Sequence, residues 1–168
     1  MNRWLRILKH RWTDETDAAR ALGPAALQRL EQRVAASERR HSGEIRLCVE
    51  AGLPLSYLWR DLAARDRAVT MFGKLRVWDT EANNGVLIYL LLAERRIEIL
   101  ADRGLHSRTA PDFWTTLTNR LSDTLQQGDF ETGLSLAVEE IGLLLHQHYP
   151  SDRHVHNPDE LPNAVVLL

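Results

Sequence analysis

Asp79, Glu81, Asn83, Asn84 and Asp102 bring carboxylate and carboxamide oxygens to two short stretches of the chain. Hard cations such as calcium and magnesium prefer such ligands, so this set is the first candidate for chemistry. The spacing matches no dedicated cation loop such as the EF-hand, and Asn83-Asn84-Gly85 is equally the composition of a turn ahead of a strand. Lys74, Arg76, Arg103 and Arg108 flank the same stretches and offer positive charge to a phosphate or another anion. Phosphoester hydrolysis needs a nucleophile or a metal-activated water. The chain has no Cys-x5-Arg, no Arg-His-Gly, no P-loop and no Asp-x-Asp near its start, which leaves only the metal route. On that route Asp79, Glu81, Asn84 and Asp102 hold the ion, and the catalytic candidates are Asp102 and Arg103, the latter for the phosphate. No nucleotide cofactor is expected, because there is no Gly-x-Gly-x-x-Gly to cradle one. His106 and Ser107 lie close by with no assignable acid or base partner.

A β-hairpin is the element that must bring these residues together. Residues 86–93 are apolar throughout, the pattern of a strand buried on both faces. Residues 96–102 alternate, with Ile97, Ile99 and Ala101 on one face and Glu98 and Leu100 on the other. Two strands joined by so short a break as Glu94-Arg95 must be antiparallel. With those two as the turn, Leu87 faces Asp102 and Gly85 faces Gly104, and a longer turn moves this by one or two residues. Either way residues 83–85 and 102–104 converge at the open end, and Asp79, Thr80 and Glu81 reach it from the preceding loop.

The rest of the chain supplies cover. A helix runs from Pro24 to about residue 41, and residues 44–50 read as a strand with Cys48 on the face opposite Ile45, Leu47 and Val49. Leu55, Leu58, Trp59, Leu62, Val69 and Phe72 predict one further amphipathic helix, whose charged face (Arg60, Asp61, Arg65, Arg67) reads as solvated surface. Helices then run from Pro111 to Gly128 and from Phe130 to Pro150. This order predicts an α/β fold with a mixed sheet between helical layers and the hairpin at its centre. Residues 1–17 form a basic amphipathic N-terminal segment, 18–149 the folded domain, and 150–168 a tail that is extended or disordered apart from 164–168.

Within the N-terminal segment Trp4, Leu5, Leu8 and Trp12 recur at helical spacing, with Arg3, Arg6 and Lys9 largely on the other side. Such a helix lies on an anionic membrane surface, or packs on its own domain or on a partner such as a membrane protein. Residues 13–17 follow as an acidic break. The net charge of -2 makes no case for a nucleic-acid partner. The one cysteine, Cys48, reads as a reduced strand thiol, no run is long enough to span a bilayer, and residues 1–12 lack the pattern of a secretory signal. A cytoplasmic location, peripheral to the membrane at most, is the expectation. The dense histidines His146, His148, His154 and His156 read as a surface cluster, since His-x-His on a helix points its rings apart.

Ser42-Gly43-Glu44-Ile45, Asn83-Asn84-Gly85-Val86-Leu87 and Gly128-Asp129-Phe130-Glu131-Thr132-Gly133-Leu134, in this order and spacing, resemble the TPM domain family, also called the TPM phosphatase family. The resemblance covers about residues 24–145. It implies a three-layer α/β/α sandwich, divalent-cation binding on loops at the sheet edge, and the acid phosphatase activity reported for some members. It adds Glu44 to the candidate cation ligands, beside Gly43, and places the family's post-hairpin glycine at Gly104. Many members carry a signal peptide, a membrane-spanning segment and an aspartate where this chain has Asn83. The resemblance therefore implies a cytoplasmic variant with a weaker pull on cations, and a LemA-type membrane protein as a partner. Two functions follow as expectations: a non-catalytic module that binds a cation or partner in membrane-linked processes, or a metal-assisted acid phosphatase acting on phosphomonoesters.

Overall fold

Alternation and apolar runs in the chain become four strands in a computed structural model that describes residues 3–13, 15–151 and 160–168. They are β1 (Ile45–Glu50), β2 (Val86–Leu91), β3 (Arg96–Ala101) and β4 (Val166–Leu167). The sheet order is β3-β2-β1-β4. β2 runs parallel to β1 and antiparallel to β3, so the sheet is mixed and its most apolar strand is interior. Buried on both faces, β2 needs cover on both, and helices supply it.

On one face α1 (Arg3–Arg11), α4 (Leu55–Trp59) and α5 (Ala64–Lys74) contribute Ile7, Leu58, Ala64, Ala68 and Met71, which pack with Cys48, Leu87, Tyr89 and Leu100. On the other, α2 (Glu15–Ala21), α3 (Pro24–Glu38), α7 (Phe113–Gln126) and α8 (Phe130–His148) pack against Ile45, Leu47, Val49, Val86, Ile88, Ile97 and Ile99. The short helix α6 (Arg103–His106) follows β3. This is a three-layer α/β/α sandwich, with each fully buried Leu or Ile stabilising it by roughly 1.5–3 kcal/mol. Cys48 lies where the strand period puts it, and burial pushes its thiol up to about 12.

Four expectations are decided or corrected. The hairpin takes the longer turn that the sequence left open, pairing Leu87 with Leu100 and Leu91 with Arg96, two residues away from the register of a turn made by Glu94 and Arg95 alone. Two-residue hairpins favour glycine or asparagine at positive φ, which Glu94 and Arg95 do not offer. The chain instead leaves β2 through a 3-10 turn, Leu92–Glu94, with only Arg95 left-handed at φ 48°. Next, the single helix expected over residues 55–72 is two helices. Leu62 N–H donates to the Tyr57 carbonyl at 2.9 Å and Asp61 N–H to the Leu58 carbonyl at 3.2 Å, a Schellman ending with Asp61 at φ 53°. Asp tolerates that conformation through its short polar side chain, and the apolar period runs on through the break at Leu62.

The third correction concerns Arg67, which is buried and ion-paired rather than solvated. The fourth is the acidic break before residue 18, where α2 forms and buries Ala18. Beyond α8, Leu161 is buried and Leu168 N–H donates to the Val49 carbonyl at 3.0 Å, which fixes β4 at the sheet edge. His154 and His156 lie outside the described residues, as do Met1, Asn2 and Asp14.

Candidate functional site

The open end of the hairpin is closed by backbone contacts. Asp102 N–H donates to the Gly85 carbonyl at 2.9 Å, and Gly104 N–H to the Asn83 carbonyl at 3.0 Å, so residues 83–85 and 102–104 converge. Asn83 holds φ 52°, a left-handed value that Asn accepts more readily than most residues. Glycine is required twice: a Cβ on Gly85 would collide with the Val77 carbonyl, and one on Gly104 would lie 2.5 Å from the Asn83 carbonyl. Turn composition and candidate ligand composition thus coincide here for a steric reason.

Asn84 is fully buried. Its N–H donates to Thr80 Oγ1 at 3.1 Å and its Nδ2 to the Ser42 carbonyl at 3.1 Å, which ties the hairpin to the chain entering β1. Its Oδ1 is buried with no hydrogen-bond partner among the described residues. Asp102 caps α6, with Oδ1 accepting from Arg103 N–H at 2.7 Å. Its Oδ2 is likewise buried and has no partner among the described residues. Buried polar oxygens are almost always paired, and an unpaired carboxylate oxygen is the costlier kind.

The other candidates are spread out. Glu44 is buried and accepts from the N–H groups of Glu160 and Leu161 at 3.2 and 3.3 Å, which docks the C-terminal segment. Asp79 is half exposed and paired with Arg76 at 3.2 Å. Glu81 is exposed, and its N–H donates to the Glu160 carboxylate at 3.0 Å. Arg103, Lys74, His106 and Ser107 are exposed, while Arg108 stacks on Tyr149 with its guanidinium 4.9 Å from the ring centre. Among the described residues, no three His, Cys, Asp or Glu side chains lie together as a metal-holding group. His146 donates from Nδ1 to the Arg40 carbonyl at 2.7 Å, a structural contact.

His41 stands beside this end and went unnoticed in the sequence. It is fully buried, with Nδ1–H donating to the Gly43 carbonyl at 3.0 Å and Nε2 2.9 Å from Ser37 Oγ. A carbonyl only accepts, so Nδ1 carries the proton and Nε2 accepts from the Ser37 hydroxyl. Burial holds the ring neutral, down to about 4.

At the other end of the sheet lies a second polar cluster that sequence reasoning missed. Arg67 forks onto Glu50, with Nη2 2.7 Å from Oε1 and Nε 2.8 Å from Oε2, and the Tyr89 hydroxyl donates to Oε2 at 2.7 Å. Hydrogen bonding to Glu50 raises the Arg67 guanidinium further, and burial raises the Tyr89 phenol. The sequence signal is partial: Glu50 closes a buried strand and so demands a cation, but only packing selects Arg67, two helices later, to supply it.

The architecture defines an α/β/α domain whose hairpin closes on glycine-bounded segments carrying two buried oxygens without a partner among the described residues. Residues 16–143 match the family model described as the TPM domain, and the chain belongs to the TPM domain family. Among solved structures it is similar to the BA42 protein of the psychrophilic bacterium Bizionia argentinensis, solved by NMR, with 29% identity and a TM-score of 0.75. That match covers 87% of this chain and 94% of the other. No curated protein matches the chain at a significant level. Among the described residues no helix is long and apolar enough to cross a membrane.

Proposed function

We propose that this TPM domain is a non-catalytic binding module whose hairpin end takes a hard divalent cation, calcium or magnesium. Asp102 Oδ2 carries this reading: a buried carboxylate oxygen with no donor among the described residues is a ready ligand for such an ion. Asn84 Oδ1, from the neighbouring stretch, is the second candidate donor. Hard oxygen donors fit calcium or magnesium and disfavour softer metals. With an ion bound there, Asp102 would neutralise part of its charge while keeping its cap on α6. Calcium and magnesium titrations followed by amide NMR are expected to shift Asn84, Asp102 and Arg103, and Asp102→Asn to abolish the shifts. Absence of shifts there in the wild type removes the proposal.

The metal-assisted phosphatase is the second reading, favoured by one observation: Arg103 is exposed directly after Asp102, where a phosphate bridging to the ion would meet it. Hydrolysis of a generic phosphomonoester by purified protein, lost in Asp102→Asn and in Arg103→Ala, supports it. Hydrolysis that survives both substitutions belongs to another site or a contaminant.

A further inference from the structure

Helix α1 is mounted with its apolar face outward. Arg6, Ile7 and His10 point into the domain: Ile7 and His10 are buried, and Arg6 reaches Glu94 at 2.8 Å and the Leu62 carbonyl at 2.8 Å. His10 completes the clamp, with Nε2 3.0 Å from Glu94 and Nδ1 accepting from Leu53 N–H at 3.0 Å. The opposite face exposes Trp4 (58%), Leu5 (60%), Leu8 (54%) and Trp12 (85%) to solvent. A helical wheel sets Lys9 and Arg11, both exposed, on the two flanks of that stripe. α4 extends the patch through Leu55 and Trp59, whose indole meets Trp4 edge to face at 5.8 Å. An amphipathic helix that only needed to stabilise this domain would turn the other way.

From this geometry we infer that the face formed by α1 and the exposed side of α4 docks on an anionic lipid bilayer surface. Indoles are the side chains that settle at the boundary between headgroups and acyl chains, and leucines enter just below them. α1 contains no acidic residue, and the exposed Asp61 after α4 is paired with Arg6 at 3.0 Å, which leaves Lys9 and Arg11 to meet anionic headgroups. A second copy of the chain fits less well, because a two-fold contact on this stripe sets Lys9 and Arg11 against their own counterparts. A helix of nine residues binds lipid weakly when it must fold on contact. Here the Glu94 clamp holds it folded in advance, which removes that ordering cost.

Flotation of the full chain with vesicles decides. Wild type is expected to float with phosphatidylcholine vesicles containing phosphatidylglycerol and to remain below with phosphatidylcholine alone. Lys9→Gln and Arg11→Gln should each weaken binding by about fivefold. The double substitution Leu8→Ser with Trp12→Ala should lose at least about a hundredfold, given the apolar burial it removes. Leu143→Ser, an exposed apolar residue of α8, should float as wild type does. These side chains project into solvent, so an unchanged far-ultraviolet circular dichroism spectrum and unfolding midpoint establish that the variants fold. Equal binding to neutral and anionic vesicles overturns the inference, as does flotation of the double variant at wild-type level. So does a wild-type dimer in sedimentation that the double variant splits, since a second copy then covers the stripe.

Discussion

At the turn end of the hairpin, Glu50 is gripped by a guanidinium fork and a phenol, and Glu94 by Arg6 and His10. At the open end, Asn84 Oδ1 and Asp102 Oδ2 are just as buried and have no partner among the described residues. The two ends share one sheet and similar burial but differ in satisfaction. A buried charge with all its hydrogen bonds made is part of the scaffold, and removing a partner is penalised heavily. A buried oxygen left unpaired costs stability as it stands, and a ligand that pairs it returns that cost.

The largest effect expected from this contrast is at the satisfied end. Arg67→Ala leaves the Glu50 carboxylate buried without its cation and should cost roughly 3–5 kcal/mol in urea unfolding. Asp102→Asn keeps the capping oxygen and removes a carboxylate charge whose Oδ2 has no partner among the described residues, so without added cation it should change stability by less than about 1 kcal/mol. Comparable losses in the two variants would break the contrast.

Acid should separate the ends next. His41 lies near 4 when folded against 6.5 as its ordinary value, so the unfolded chain binds more protons between those limits. Its neutral form contributes full stability above about 6.5, and the contribution falls as the pH drops toward about 4. A loss of roughly 2–3 kcal/mol is expected over that window. Glu94 is held down to about 2 by its bonds from His10 and Arg6, so the stability it supplies persists above about 4.5 and is lost only as pH falls toward 2. Amide protection factors, which remove the intrinsic slowing of exchange in acid, should therefore fall at residues 42–44 between pH 6.5 and 4.5 before they fall at Ala93 and Arg95, the hydrogen-bonded amides beside Glu94. Simultaneous loosening would show that the ends are not independent.

The smallest effect sharpens the open end alone. Asn83→Asp adds a carboxylate beside the candidate ligands and should strengthen calcium binding by roughly tenfold, the order expected of one charge several ångströms from a divalent ion. Unchanged affinity by calorimetry would place the ion away from this turn.

Local pattern was enough for the strand faces, the apolar centre at β2 and the meeting of residues 83–85 with 102–104. Side-chain period and antiparallel pairing leave few alternatives there, and a two-residue change of register keeps every side chain on its own face. Three outcomes lay beyond it. The split between α4 and α5 turns on one left-handed aspartate inside an unbroken apolar period. Arg67 meets Glu50 only once a helix is laid on the sheet, because a charge looks solvated until its buried partner is known. The outward face of α1 is the third: the helical period shows which residues share a face, but Glu94, 88 residues from Arg6 in the chain, decides which face turns in. Periodicity is a property of neighbours in sequence, whereas pairing of buried charge belongs to the assembled layers.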